Sequence, residues 1–356
     1  MSSGQKDEIP ATRSTRITIL RSPPEKEEQK TGMGIYSDKV EAGLKEAGIE
    51  PRRITVGIGA GVSEKNIFKR IRWNLLHPFK QCIASGWEGV FHATDEFHSI
   101  CFPFLGGKKV MTFHHYQGND TKTPFLFLWK IVVRIGVKLS DRIIAISPKS
   151  KKDLIEHYGV PEEKISVVLN NVSDKFRSID IPRTRTIGII GTLTKRKNVG
   201  AAIHAFRKLI DMPGTEDMRM KICGRGPTLP ELKELVKDLG IEDRVTFVAG
   251  LTDDEMVEMY NSIQILANPS MIEGFGLSTL EAQKCSTPVV CFKDADIPDE
   301  VKMYALQSAD IDDFADNMHR LLVDDEFRKK VVTDGKTYAD GFGKDFIEET
   351  IKVYES

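Results

Sequence analysis

Short apolar runs alternate with longer amphipathic stretches along the first half of the chain. Six apolar runs are predicted as strands, at 16–20, 54–56, 89–92, 109–113, 142–146 and 165–169. Helical periodicity is found between them, through Val40 and Leu44 to a stop at Gly48, and at 66–76, 124–139 and 149–157. Strands that alternate with helices predict a parallel, doubly wound α/β sheet.

The same alternation begins again after a polar, proline-containing stretch at 177–185. Strands are predicted at 187–190, 218–223, 245–247, 263–267 and 289–291, and helices at 199–210, 229–239, 253–261 and 277–285. A length of 356 residues is about twice that of a typical domain. We therefore expect a polar, disordered tail at 1–14 and two α/β domains at 15–180 and 181–341, with ligands bound in a cleft between them.

Charge is distributed unevenly, although the net charge is only −1. Residues 1–180 carry 28 Lys and Arg against 21 Asp and Glu, which gives +7, and the remainder carries 23 against 31, which gives −8. A basic first half predicts an anionic partner, and a phospholipid surface, a phosphorylated acceptor or a nucleic acid would each fit. No nucleic-acid-binding motif is present, so we expect no nucleic acid partner.

Cysteine usage and the N-terminus favour the cytoplasm. The five cysteines show no paired metal spacing and lie mostly in apolar runs, which is typical of buried, reduced thiols. The first residues lack the apolar core of a signal peptide, and no stretch reaches the ~18 apolar residues of a membrane span. Attachment to the inner face of a membrane would then be peripheral.

The most informative motif is PSMIEGFGLSTLEA at 269–282, where Glu273 and Glu281 lie eight residues apart. The residues between them that form the expected ligand loop are Gly274, Phe275, Gly276 and Leu277. Glycines let the backbone approach a ligand, and a helix N-terminus offers amides to a phosphate. Glu281 would then reach ribose hydroxyls, and Glu273 would face a sugar. Taken alone, the motif also fits two surface glutamates beside a tight turn.

This motif resembles the Glu-x7-Glu hallmark of the family-4 glycosyltransferases (glycosyl transferases group 1), which have the GT-B fold. The resemblance covers residues 16–356 in the family's order, through GTLTKRKNV, GRGP, TPVV and PDEV in the second half and VFHA, VMTFHH, SDRIIAIS, YGVP and VLN in the first. It implies two facing Rossmann-like domains. The first would bind the acceptor, the second a nucleotide sugar, and the last helix, in 342–356, would return to the first domain.

Donor-binding residues follow from the same resemblance. Lys197 occupies the position whose lysine binds the donor diphosphate. The family usually has a second cation where this chain has Thr192, and Arg196 is expected to substitute for it. Gly224 lies in the matching GRGP segment and is expected at the donor site.

Acceptor-side residues are implied in the first domain. His114 matches the histidine that faces the donor sugar, while His115 stands where the family more often has Asp. His92 also matches a family position, and we interpret it as mainly architectural. Gly32 and Gly34 correspond to the glycine loop of the first domain that acceptors, and sometimes donor phosphates, approach.

The implied reaction is the retaining transfer of a hexosyl group from a nucleoside diphosphate sugar to a hydroxyl acceptor, which is a glycan, a lipid or a small molecule. His114, Glu273 and Lys197 are the catalytic candidates. Asp294-Ala-Asp296 resembles the Asp-x-Asp metal site of the other large glycosyltransferase fold, but here it follows a strand of the second domain, where this family has a variable loop. We therefore expect no metal and no cofactor. The alternatives are a non-catalytic sugar-nucleotide-binding GT-B protein and a GT-B sugar phosphorylase or epimerase.

Two segments of the first half are both basic and apolar. Residues 65–80 mix Lys69, Arg70 and Arg72 with Phe68, Ile71 and Trp73, and residues 123–139 space Lys130, Arg134 and Lys138 four apart. An ordinary domain helix would bury the apolar residues of 123–139, including Ile131 and Ile135, in the core. An interfacial membrane helix would instead place aromatic and basic residues together at a lipid surface. Both interpretations remain open.

Overall fold

A computed structural model describes residues 16–23, 32–56, 77–85, 88–116 and 124–356, with the backbone alone at 77–78, 85 and 124–128. The chain divides into two compact units. The first comprises Met1–Val168 together with Asp345–Ser356, and the second comprises Leu169–Lys344.

The first unit is built on a sheet of six parallel strands in the order β2-β1-β3-β4-β5-β6. The strands are β1 Ile17–Arg21, β2 Arg52–Thr55, β3 Val90–Ala93, β4 Lys108–Phe113, β5 Arg142–Ala145 and β6 Ile165–Val167. The helices are α1 Gly32–Glu46, α2 His77–Ser85, α3 Pro124–Leu139 and α4 Pro148–Tyr158, with 3-10 helices at Glu96–Phe104 and Glu162–Lys164. β1 and β3 are buried at every position, as expected for a parallel sheet that helices cover on both faces.

The second unit repeats this architecture, with six parallel strands in the order β12-β11-β10-β7-β8-β9. The strands are β7 Thr186–Ile190, β8 Arg219–Cys223, β9 Val245–Val248, β10 Ile265–Asn268, β11 Val289–Phe292 and β12 Leu306–Ser308. The helices are α5 Val199–Leu209, α6 Leu229–Asp238, α7 Asp253–Ser262, α8 Leu277–Lys284, α9 Asp299–Lys302, α10 Ile311–Val323 and α11 Asp325–Gly341, with a 3-10 turn at Lys195–Lys197. The doubly wound α/β fold predicted from the sequence is confirmed.

The last helix, α12 (Phe346–Glu355), packs on the first unit. The hydroxyl of Tyr354 lies 2.7 Å from Nδ1 of His92, and the ring of Phe346 lies edge-on to Tyr36 at 5.6 Å between centroids. Tyr354, Phe346 and Tyr36 are all buried. The helix is therefore part of the first unit's core, although the whole second unit lies between them in the sequence.

The boundary between the units falls at 168/169, earlier than the polar stretch at 177–185. The amide of Asn261 donates to the carbonyl of Arg177 at 3.0 Å, and the backbone N–H of Ile179 donates back to Oδ1 of Asn261 at 3.0 Å. Phe176 packs edge-on against Tyr260 at 5.6 Å. Residues 169–180 are thus held on the second unit by contacts that composition does not reveal.

Several predicted elements need correction or completion. Gly32 and Gly34 form the first turn of α1 rather than a loop before it. The sequence interpretation did not identify β12, α2, α9, α10, α11 or the 3-10 helix at Glu96–Phe104. The helix predicted at 66–76 lies outside the described residues. Within the described ranges, no helix combines the length and the apolar character needed to cross a bilayer.

Candidate active site

Three loops of the second unit meet at one edge of its sheet, because they follow the neighbouring strands β10, β7 and β8. Glu273 follows β10, Lys197 follows β7 and Gly224 follows β8. The carboxyl ends of parallel strands form the usual ligand edge of an open α/β sheet. The topology thus gathers residues that are far apart in the sequence.

Glu273 is buried between two cations. Its side chain is only 7% exposed. The ammonium of Lys197 donates a hydrogen bond to Oε1, and the guanidinium of Arg196 lies 3.2 Å from Oε2. Arg196 also donates to the carbonyl of Ile272 at 2.9 Å. Because an unpaired buried carboxylate is costly, these two cations compensate for the burial of Glu273.

Backbone hydrogen bonds fix the loop that carries Glu273. The N–H of Met271 donates to the carbonyl of Arg196 at 2.9 Å, and the N–H of Glu273 donates to the carbonyl of Asp296 at 3.1 Å. The N–H of Asp296 in turn donates to Met271 at 2.8 Å. Asp296 therefore supports the loop through its backbone. Among the residues that the structure describes, no three His, Cys, Asp or Glu side chains are grouped as a metal site.

The Gly-x-Gly part of the motif leads into α8. Gly276 is the N-cap residue with φ of +98°, a left-handed conformation that disfavours any residue with a Cβ. Leu277 begins the helix, and the first amides of a helix have no intrahelical acceptor. Phe275, after Gly274, is buried with its ring edge-on to Phe342 at 5.9 Å. This anchor and turn present the positive end of α8 beside Glu273.

Glu281 lies one turn into α8 and is held by a residue that the sequence interpretation missed. Its Oε2 accepts a hydrogen bond from the hydroxyl of Tyr260 at 2.7 Å. Burial raises the pKa of Tyr260 well above its usual value, so the phenol remains a donor. A tyrosine on the apolar face of a helix needs a partner for its hydroxyl. That requirement is visible in the sequence of α7, but the identity of the partner is not.

Gly224 is fixed by the close approach of two loops. A Cβ at this position would lie 1.8 Å from the carbonyl oxygen of Gly191, so no larger residue fits. The side chain of Lys197 passes over Gly191. A Cβ on residue 191 would lie 3.3 Å from Nζ of Lys197. The two glycines thus let the β7 and β8 loops pack tightly while Lys197 reaches Glu273. The donor contact expected of Gly224 stays a prediction.

In the first unit, His114 follows β4 at the carboxyl edge of the sheet. Its Nε2 lies 2.9 Å from the carbonyl oxygen of Thr94, and its ring is edge-on to Tyr36 at 4.9 Å. A carbonyl can only accept, so Nε2 carries the proton and Nδ1 is the acceptor nitrogen. Burial lowers the pKa of His114, which keeps the ring neutral near pH 7. A neutral, oriented imidazole suits hydrogen bonding to a hydroxyl.

Glu96, also missed by the sequence interpretation, holds the loop that carries His114 through hydrogen bonds to its backbone. Its Oε1 accepts the backbone N–H of His114 at 2.6 Å and that of His115 at 3.3 Å. The residue is 3% exposed, and burial, with a smaller effect of Asp95, raises its pKa to about 7. A carboxylate three residues after β3 was the available sequence signal, since polar residues near strand ends gather at the ligand edge.

The raised pKa of Glu96 predicts a pH dependence of stability. The folded state retains this proton up to about pH 7, whereas the unfolded chain loses it near pH 4.5. Stability from this group is therefore present below pH 4.5 and lost as pH rises through 7. When the pH is raised from 5 to 8, the unfolding free energy of the wild type should fall. The fall should be larger than that of Glu96→Gln by on the order of 1–3 kcal/mol, because Gln does not titrate. Urea unfolding at both pH values measures the difference, and parallel losses would contradict the assignment.

The other residues expected on the acceptor side occupy different settings. His92 is fully buried, and burial lowers its pKa to about 3. Its Nδ1 forms a hydrogen bond with the hydroxyl of Tyr354, and its Nε2 forms one with Oγ1 of Thr112 at 2.8 Å. It connects the sheet to α12. Gly32 begins α1, and none of the atoms that the structure describes lies within 4 Å of the place where a Cβ would project.

Solved structures identify the architecture as GT-B. Sucrose-phosphate synthase from Thermosynechococcus elongatus aligns with a TM-score of 0.75 at 15% identity, over 96% of this chain and 98% of that chain. HepE of Anabaena, in complex with UDP and glucose, aligns with a TM-score of 0.73 at 14% identity, over 96% of this chain and all of that chain. At such identities the similarity shows the fold alone.

Sequence comparison gives the family. The family described as Glycosyltransferase Family 4 matches residues 32–176, and Glycosyl transferases group 1 matches residues 172–338. The chain belongs to these GT-B glycosyltransferases, which confirms the resemblance seen in its motifs.

Curated relatives carry glycosyltransferase names. One is the D-inositol 3-phosphate glycosyltransferase of Corynebacterium jeikeium, 31% identical over 61% of this chain and 57% of the relative. Another is the O-antigen chain mannosyltransferase RfbU of Salmonella typhimurium, 28% identical over 56% of this chain and 59% of the relative. The chain thus matches only 57% and 59% of the length of these two relatives.

Proposed function

We propose that the protein is a retaining glycosyltransferase that moves a hexosyl group from a nucleoside diphosphate sugar to a hydroxyl acceptor. The observation that carries this proposal is the buried Glu273, paired with Lys197 and Arg196 beside the N-terminus of α8. The site combines cations and helix amides for a diphosphate with a carboxylate for sugar hydroxyls. HepE, of the same fold, was solved with UDP and glucose, which supports this kind of donor.

The residues of the second unit account for stabilisation of the leaving group. As the glycosidic bond breaks, negative charge grows on the departing diphosphate. The ammonium of Lys197, the guanidinium of Arg196 and the amides at the start of α8 would stabilise that charge. The diphosphate itself can take the acceptor proton, so no side chain has to act as a strong base and we propose no metal.

The remaining candidates orient the substrates in this proposal. Glu281, held by Tyr260, would accept hydrogen bonds from ribose hydroxyls. The neutral imidazole of His114 would hydrogen-bond a hydroxyl of the donor sugar, an assignment that rests on the family resemblance. We further propose a lipid-linked acceptor at the inner face of a membrane, because the first half of the chain is basic.

Titration calorimetry with UDP-, GDP- and ADP-sugars tests the donor class. We expect one nucleotide series to bind, with affinity unchanged by EDTA, and the product of the matching sugar to keep the donor's anomeric configuration by NMR. Absence of binding to every series would contradict the proposed donor. Binding without turnover on any hydroxyl acceptor would favour the non-catalytic alternative. If EDTA abolished activity and Mn²⁺ restored it, Asp294 and Asp296 would become the candidate metal ligands.

A further inference from the structure

Helix α3 exposes an apolar stripe that an ordinary domain helix would bury. Ile131, Ile135 and Leu139 are 38%, 42% and 36% exposed and recur every four residues. The opposite face, which includes Val133 and Val137, packs in the core of the first unit. The interpretation that Ile131 and Ile135 belong to the core is therefore wrong.

Two neighbouring elements add further exposed apolar side chains. Phe79 and Ile83 on α2 are 38% and 55% exposed, and Phe104 is 40% exposed. The rings of Phe79 and Phe104 meet edge-on at 4.8 Å. Both α2 and α3 pack against the 3-10 helix Glu96–Phe104. Large apolar residues are usually exposed singly, and several on adjoining elements mark an interaction surface.

Cations accompany this apolar surface. Arg134 and Lys138 are exposed on α3 beside the stripe, Lys130 lies one turn earlier, and Lys80 is exposed on α2. Neither α2 nor α3 contains an Asp or Glu in its sequence. The chemistry that complements this face is thus both apolar and anionic.

We propose that this face, formed by α2, α3 and Phe104 and called here the α2–α3 face, binds an anionic lipid surface. Aliphatic side chains would enter the boundary between headgroups and acyl chains, while Arg and Lys would contact lipid phosphates. A second copy of the chain is a poorer occupant. In a two-fold dimer the same patch of both copies would meet, so the cations of one copy would face those of the other. The inference deepens the proposed function by giving a lipid-linked acceptor a docking surface.

Vesicle flotation tests the face without measuring transfer, so its outcome is separate from that of the donor assays. The full chain is mixed with vesicles of phosphatidylcholine containing about one third phosphatidylglycerol, and with vesicles of phosphatidylcholine alone. We expect binding to the anionic vesicles only, weakened at least tenfold between about 0.05 and 0.5 M NaCl as charges are screened.

Paired variants locate the binding surface. Neutralising Arg134→Gln together with Lys138→Gln should lower the partition coefficient roughly 25-fold, since each cation near an anionic surface contributes about fivefold. Ile135→Ser should lower it about tenfold, because less apolar surface is inserted. The matched control is Lys233→Gln with Lys237→Gln on α6, two exposed lysines of the acidic second unit. This control should float like the wild type, and all these positions are exposed enough to leave folding intact.

Three outcomes would overturn the inference. The wild type could remain soluble on anionic vesicles at low salt. It could float while the α3 variants float equally well, which would place lipid binding elsewhere. It could also sediment as a dimer that Ile135→Ser dissociates, without any flotation, which would assign the α2–α3 face to self-association. Sedimentation velocity on the same samples distinguishes the last outcome.

Discussion

Glu273→Gln is expected to lower kcat by about 10- to 150-fold, the loss of a charged hydrogen bond worth ~1.5–3 kcal/mol in the transition state. The substitution preserves the size of a side chain that is 7% exposed, but it removes the charge facing Lys197 and Arg196. The proposed reaction places this carboxylate on the donor sugar, so the effect should fall on turnover more than on nucleotide affinity. Steady-state kinetics with the donor from the calorimetric screen measures it.

The matched control for Glu273→Gln is Glu258→Gln, the same change at an exposed position of α7 in the same unit. It should retain wild-type kinetics. Both variants should be checked for folding by circular dichroism before kinetics. Turnover of Glu273→Gln within threefold of the wild type would remove Glu273 from the catalytic site.

Lys197→Met is expected to weaken binding of the free nucleoside diphosphate by about 10- to 150-fold, because a charge-assisted hydrogen bond is worth ~1.5–3 kcal/mol. The change keeps the apolar stem that crosses Gly191 and removes only the ammonium. It also leaves Glu273 with Arg196 as its remaining cation in this pair of contacts. We therefore expect a lower unfolding free energy as well, by about 2–3 kcal/mol.

Two companion variants separate the structural role of Lys197 from its binding role. Lys195→Met removes the same charge from an exposed position of the same 3-10 turn and should preserve affinity and stability. Lys197→Met combined with Glu273→Gln should recover stability, since the buried carboxylate that lost one of its two cations is itself removed, but this double variant should not recover nucleotide affinity. Calorimetry with UDP and GDP gives the affinities. Unchanged affinity in Lys197→Met would contradict the proposed diphosphate contact.

Local sequence determined the elements and the motif loops because their causes are local. Alternating apolar runs and helical stripes located most strands and helices of both units. The spacing of Glu273 and Glu281 around Gly276 located a turn that requires a left-handed residue and a helix that begins at Leu277. Composition was a weaker guide to the unit boundary, since polarity at 177–185 does not show that Phe176 packs on Tyr260.

Tertiary structure alone decided the partners of the site residues. Lys197 and Glu273 are 76 residues apart in the sequence, and only the order of β10, β7 and β8 in the sheet brings them together. Tertiary structure also decided the hydrogen bond from Tyr260 to Glu281 and the one from the backbone of His114 to Glu96. The exposed stripe of Ile131 and Ile135 was also undecidable from periodicity, because an apolar helix face has the same pattern whether it meets the core or faces outward. The sequence itself determined which chemistry is present, and long-range packing determined which groups meet, because hydrogen bonds and burial depend on distance in space rather than along the chain.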